Sequence, residues 1–248
     1  MSGGAVRINS ILVERHTNSE AIARRGAEVV AKTLDEKPDA VLLLPAGSTP
    51  VSLFGELRKR HGALELDLSQ AQGFQLDEIV GVAPEDTRSF QAFLQKHFFK
   101  GLSSSQAQLL TGNATDPAEE IHRHVAELER LGGADLALLG IGSNGHIAFN
   151  EPGASLDAPA RVVTLAEATR KGMEQHFAED ELPTHGITLG VREIYASARI
   201  LLIATGASKA KILHDLVRGG VSSDLPASLL SEHSDFLVLC DEEAGKLL

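Results

Sequence analysis

Short apolar runs of strand length alternate with stretches of helical periodicity along most of this chain, and that alternation leaves few folds open. Five runs stand out: Ala40–Leu44 (AVLLL), Gly73–Leu76 (GFQL), Leu136–Gly140 (LALLG), Ile200–Ala204 (ILLIA) and Phe236–Cys240 (FLVLC). Weaker candidates lie at Ile8–Val13 and Arg161–Leu165. Between the runs, Ile22, Val29, Val30 and Leu34 share one helical face, as do Leu53, Phe54 and Leu57, then Ile121, Val125 and Leu128, then Leu213, Leu216 and Val217. Strands that read as continuous apolar runs and alternate with helices predict a mostly parallel sheet covered on both faces, an α/β fold. Two helices have recognisable starts, Thr49 followed by Pro50 and Asp116 followed by Pro117, each an N-cap type with proline at the first helical position.

With 248 residues, 43% of them hydrophobic, the chain can bury a full core, and no repeat or Pro/Gly/Ser linker divides it. The expected architecture is a single Rossmann-like domain over residues 1–248. The net charge of −11 is not relieved by any basic run, which argues against nucleic acid and anionic membrane as partners and for a small ligand. The single cysteine, Cys240, lies in FLVLC and reads as a core residue. The opening MSGGAVRINSILVERH lacks the apolar core of a signal peptide, and nowhere do about 18 apolar residues run together, so a cytoplasmic protein is expected.

Open parallel sheets bind ligands at the carboxyl ends of their strands. After Ala40–Leu44 comes PAGSTP, where Gly47, Ser48 and Thr49 place N–H groups and hydroxyls at a helix start that favours an anion; the nucleotide-binding G-x-x-x-x-G-K-[ST] spacing is missing. After Ile200–Ala204 comes TGASKAK, in which Lys209 opposes the helix dipole, a placement that a bound anion explains better than helix stability does. After GFQL come Asp77 and Glu78, a carboxylate pair placed for general-base work.

The fourth loop is the most informative. In LLGIGSNGHIAFNEP, Leu138–Pro152, an apolar run opens into Gly140, Gly142 and Gly145, which permit positive φ and close approach to the backbone. It then delivers His146, the side-chain type most used to pass protons at neutral pH, and Glu151. His97, His122 and His124 read as solvated helix residues, and no metal set is expected.

The segments LPAGSTP, LDEIVG followed by Thr87, Ser89 and Phe90, LLTGNA, LLGIGSNGHIAFNEPG, and ITLGVREI followed by ATGASKA occur in the order of the glucosamine-6-phosphate deaminase family, which this chain resembles from about Ala40 to Asp241. The GHIAFNEP block is specific to that family. The 6-phosphogluconolactonases resemble it in fold and in a glycine-histidine loop, but lack the FNEPG continuation.

The resemblance implies a cofactor-free enzyme that converts glucosamine 6-phosphate and water to fructose 6-phosphate and ammonia. It implies that His146 assists ring opening, that Glu151 orients it, and that Asp77 moves the C2 proton to C1. Three departures stand out. Asn144 occupies the place of an aspartate in the regulated members, and Gln175 that of a phosphate-binding arginine, leaving Lys209 and PAGSTP as anion contacts. Allosteric members carry a basic residue near the position of Val163 and a longer C-terminal tail, so no activation by N-acetylglucosamine 6-phosphate is expected; the expected assembly is a monomer or small homo-oligomer. Phe177–Thr184 reads as a mobile cover from which His185 could reach the site. Competing readings are a deaminase for galactosamine 6-phosphate, a lactonase for 6-phosphogluconolactone, and a silent sugar-phosphate sensor. Joint presence of Asp77, His146 and Glu151 argues against the sensor, which needs no proton carriers.

Overall fold

The run Val41–Leu44 is buried on both faces because helices cover both sides of the strand it forms. A computed structural model describes residues 6–8, 10–178 and 181–248. Its first half contains β1 (Val6–Ile8), β2 (Ile11–His16), α1 (Ser19–Glu36), β3 (Val41–Leu44), α2 (Val51–Gly62), β4 (Gln72–Gln75), β5 (Asp77–Ile79), α3 (Phe90–His97), β6 (Ala107–Gln108) and α4 (Pro117–Arg130). Its second half contains β7 (Leu136–Leu139), β8 (Arg161–Thr164), α5 (Glu167–Met173), β9 (His185–Thr188), α6 (Val191–Tyr195), β10 (Arg199–Ala204), α7 (Ala210–Arg218) and β11 (Phe236–Asp241).

Eight strands form one sheet in the order β1-β2-β11-β10-β7-β3-β4-β6. Every neighbouring pair is parallel except β1 on β2. Alternate residues of the strands enter two separate cores, as the two-residue side-chain period requires. Leu42, Leu44, Leu201 and Leu239 pack with Ile22 and Val30 of α1, Phe54 of α2 and Leu94 of α3. Leu43, Phe74, Leu202 and Val238 face Ile121 of α4, Ile194 of α6 and Leu213 of α7 on the opposite side. The α/β fold with helices on both faces, expected from the alternation, is the one observed. Cys240 is buried in β11, and burial pushes its thiol up to about 11, consistent with an inert core side chain.

A second, three-stranded antiparallel sheet, β5-β9-β8, was not anticipated. The chain leaves the large sheet after Leu76, and Asp77–Ile79 pairs instead with Gly186–Thr188. Asp77 and Glu78 therefore begin a new strand rather than ending the GFQL run.

Two local expectations need correction and a third holds. Helix α2 starts at Val51 with Pro50 in the N-cap position and no side-chain cap, because Thr49 sits one residue further out in a cavity wall. His124 is not solvated: it is fully buried against Phe74, with ring centroids 4.9 Å apart. Burial pushes it down to about 4, so the neutral ring sits 2.9 Å from the Gln75 carbonyl through Nε2. Asp116 caps α4 as expected, accepting from the Ala118 and Glu119 N–H groups at 2.9 and 3.1 Å. No helix of the described residues is long and apolar enough to cross a membrane.

Candidate active site

The strand order reverses between β3 and β7. From β3 the chain builds outward through β4 and β6; from β7 it builds the other way through β10 and β11. The loops leaving β3 and β7 therefore diverge, and a crevice opens between them at the carboxyl edge of the sheet. A cavity of about 680 Å³ lies there, lined by Gly47, Ser48 and Thr49 after β3, Asp77 after β4, Gly142 and His146 after β7, and Lys209 after β10. Four loops separated along the sequence thus contribute to one space. Ile79 of the small sheet and Thr169 and Met173 of α5 supply a further wall, joined by Phe149 and Phe177 from the segments that follow β7 and α5.

One end of this space is suited to an anion. Gly47 adopts a φ of +111°, and among the described residues no carbonyl or side chain accepts from the N–H groups of Gly47, Ser48 or Thr49. Lys209 lies at the start of α7 and donates from Nζ to the Ile141 carbonyl at 2.7 Å. Burial lowers its pKa, and no carboxylate of the described residues pairs with it. Unused N–H donors and an unneutralised cation together favour a phosphate or carboxylate.

The glycine-rich loop is built around His146. Gly145, at φ +86°, is the one of its three anticipated glycines in the left-handed region. Gly142 serves differently: a Cβ there would come within 2.4–2.6 Å of the His146 ring, so only glycine lets the imidazole lie against the backbone. His146 Nδ1 is 3.5 Å from Glu151 Oε2, which also accepts from Asn144 Nδ2 at 2.9 Å. Asn144 Oδ1 in turn accepts from the His146 backbone N–H at 3.2 Å. Burial alone would raise the Glu151 carboxyl, but hydrogen bonds from His146, Thr169 and Asn144 hold it down at about 2. Glu151 and Asn144 stand behind His146 rather than in the cavity lining.

Asp77 is 7% exposed, and none of the hydrogen bonds among the described residues ends on its carboxylate. Burial, assisted by the neighbouring charge of Glu78, pushes it up to about 8. Its neighbour is different in kind. Glu78 accepts from Ile79, Phe90 and Gln91 N–H groups at 2.8, 3.0 and 2.7 Å and from Gln75 Nε2 at 3.0 Å. Burial raises the Glu78 carboxyl while these donors oppose the rise. The expectation of a working carboxylate pair is corrected: Glu78 fastens the N-terminus of α3 and is absent from the cavity wall, leaving Asp77 alone there.

His185 also lies outside the lining; its exposed ring contacts Thr184 Oγ1 at 2.8 Å. Gln175 lines the cavity as an exposed side chain. Of the cover Phe177–Thr184, Glu179 and Asp180 lie outside the described residues. Phe177 is buried with Ile79, Phe149 and Leu165, and the Arg88 guanidinium stands 4.6 Å over its ring. Sequence reasoning missed Arg88 and Thr169, both in the cavity wall. Arg88 is held by Asp86 at 2.7 Å and Glu181 at 3.2 Å. Arg88 lies between Thr87 and Ser89 of a family segment and was passed over there, and Thr169 carries no local signal, so only the fold shows that both reach the cavity. Among the described residues no cluster of three or more His, Cys, Asp or Glu could hold a metal ion.

Residues 14–239 match the family model described as glucosamine-6-phosphate isomerases/6-phosphogluconolactonase. The glucosamine-6-phosphate deaminase of Bacillus pumilus is 39% identical over 233 residues, covering 93% of this chain and 97% of the relative. Glucosamine-6-phosphate deaminase 1 of Bacillus subtilis is 39% identical over 231 residues, 92% of this chain and 96% of the relative. Among solved structures, a monomeric glucosamine-6-phosphate deaminase superposes with a TM-score of 0.91 at 38% identity, covering 95% of this chain and 99% of that one. The 6-phosphogluconolactonase of Leishmania guyanensis, at 21% identity and a TM-score of 0.76 over 94% of this chain and 97% of its own, shares the fold.

Proposed function

We propose, from the premise that this chain belongs to the family of glucosamine-6-phosphate isomerases and 6-phosphogluconolactonases, that it deaminates glucosamine 6-phosphate, yielding fructose 6-phosphate and ammonia with consumption of one water. The observation that carries this reading is that a proton-transfer pair, an isolated buried carboxyl and a set of anion donors line or border one cavity. The sugar phosphate docks on the N–H groups of Gly47–Thr49 and on Lys209, which fixes the chain of carbons across the cavity. With Nδ1 turned to Glu151, His146 presents Nε2 to the ring oxygen and passes the proton that opens the pyranose. Asp77 then takes the C2 proton and returns it to C1, converting the aldose into a C2 imine. Water adds to that imine at C2, and ammonia leaves with the proton it needs.

The chemistry accounts for the contrast between the two acids. Glu151 must stay ionised to support an imidazolium, and three donors keep it so. Asp77 must both take and return a proton, which suits a carboxyl pushed up to about 8 rather than one fixed at 4. A cationic C2 ammonium beside it would favour the ionised base at the moment it is needed. All of these groups come from one chain, so a monomer suffices; light scattering tests that reading. The decisive assay is ammonia release from glucosamine 6-phosphate and galactosamine 6-phosphate in parallel, alongside hydrolysis of 6-phosphogluconolactone. Faster ammonia release from the first is expected. Preference for the second, or lactone hydrolysis without ammonia, overturns the proposal.

A further inference from the structure

Thr169 is the only buried residue of the seven-residue helix α5, and it is buried against the acid–base pair. Its Oγ1 lies 2.5 Å from Glu151 Oε1 and 3.3 Å from His146 Nδ1. A threonine hydroxyl has one proton to give and lone pairs to receive with. Glu151, ionised, can only accept, so the Thr169 proton is committed to it. The contact with His146 must then run the other way, with Nδ1–H donating to Thr169 Oγ1. Glu151 Oε2, 3.5 Å from the same nitrogen, asks for the same polarity. Asn144 reinforces the arrangement, since its amide nitrogen donates to Oε2, the same oxygen that faces Nδ1, and so helps to hold the carboxylate in place.

We propose that Thr169 is a positioning residue that fixes His146 in the Nδ1–H form, leaving Nε2 unprotonated toward the cavity, and thereby ties the placement of α5 to the readiness of the base. The consequence for catalysis rests on the deaminase reading above, but the tautomer itself does not. Removing the hydroxyl would leave Nδ1–H with only the longer contact to Glu151, and would free one carboxylate oxygen to draw water. A ring with no fixed tautomer offers the wrong nitrogen part of the time. Groups that orient a working histidine in this way are worth about 10–100-fold in activity where they have been removed at metal sites, and a loss toward the lower end is expected here.

The test has two independent readouts on ligand-free and turning-over protein. Two-bond proton–nitrogen NMR of the native protein, with the His146 signals assigned by their loss in His146→Gln, reads the tautomer without reference to any substrate. A pyrrole-type Nδ1 and pyridine-type Nε2 are expected; the opposite pattern overturns the proposal outright. Thr169→Val should average the two nitrogen shifts and lower kcat about 10-fold, with KM within about 2-fold. Thr169→Ser, which keeps the hydroxyl, should restore both the shifts and most of kcat. Equal losses in Thr169→Val and Thr169→Ser, or a tautomer unmoved in Thr169→Val, overturn it. Should Thr169→Val fail to fold, Thr169→Ala removes the same hydroxyl and is read by the same two outcomes. A native enzyme that shows the expected tautomer but releases no ammonia would sink the deaminase reading and leave this assignment standing.

Discussion

At the scale of single residues, burial sets the behaviour of Asp77 before any substrate arrives. Its ordinary value of 3.8 rises to about 8 because the folded protein removes water from the charge, with Glu78 adding repulsion. The folded state therefore keeps a proton that the unfolded chain has released between those values. Stability from this group is fully present below 3.8 and falls as pH rises toward about 8. Asp77→Asn abolishes the titration, so its Tm should exceed that of the native protein by a margin that is larger at pH 9 than at pH 5. An equal margin at both would remove burial as the cause. The same substitution should eliminate exchange of the C2 hydrogen with solvent, a loss of about 100-fold or more, while leaving binding largely intact. Lys209→Ala should raise KM far more than it lowers kcat, the mark of a contact made equally in ground and transition states. Equal loss in both would reassign Lys209 to the chemical step.

At the scale of elements, what could be read in advance depended on how local the cause was. Asp116 and Pro117 announce α4 because an N-cap is satisfied within three residues, and Asp116 accepts from two N–H groups there. Asp116→Ala should cost about 1 kcal/mol, lowering Tm by about 2–4 °C while turnover stays unchanged. A change in kcat would mean that α4 reaches the site. Thr49 and Pro50 show the same pattern in the sequence but not the same structure, because the loop is shaped by the cavity it borders. Glu78 looked like a second base beside Asp77. Its donors, the N–H groups of Phe90 and Gln91, belong to a helix that begins further along the chain, and only the turn between β5 and α3 brings them together.

At the scale of the whole molecule, the position of the cavity follows from strand order. The chain reverses direction of growth between β3 and β7, and the loops that part there, with those after β4 and β10, carry the proposed site. The small sheet closes one side and also bears on regulation. Val163 of β8 packs against the apolar cluster of Ile79, Phe149 and Phe177, and so brings an apolar side chain rather than a cation to that position. N-acetylglucosamine 6-phosphate added at low substrate should therefore leave turnover unchanged, and a clear rise would show a second site. Periodicity and loop chemistry, both local, determined by themselves the alternation of strands and helices, the two-faced burial of the main sheet, and the grouping of Gly47, Ser48, Thr49, Asp77, His146 and Lys209 on one edge. The second sheet, the separation of Asp77 from Glu78 in role, the burial of His124 and the arrival of Thr169 behind His146 were decided only in three dimensions. Each depends on which distant segment supplies a partner or excludes water, and that information is carried by the packing of the whole chain rather than by any stretch of it.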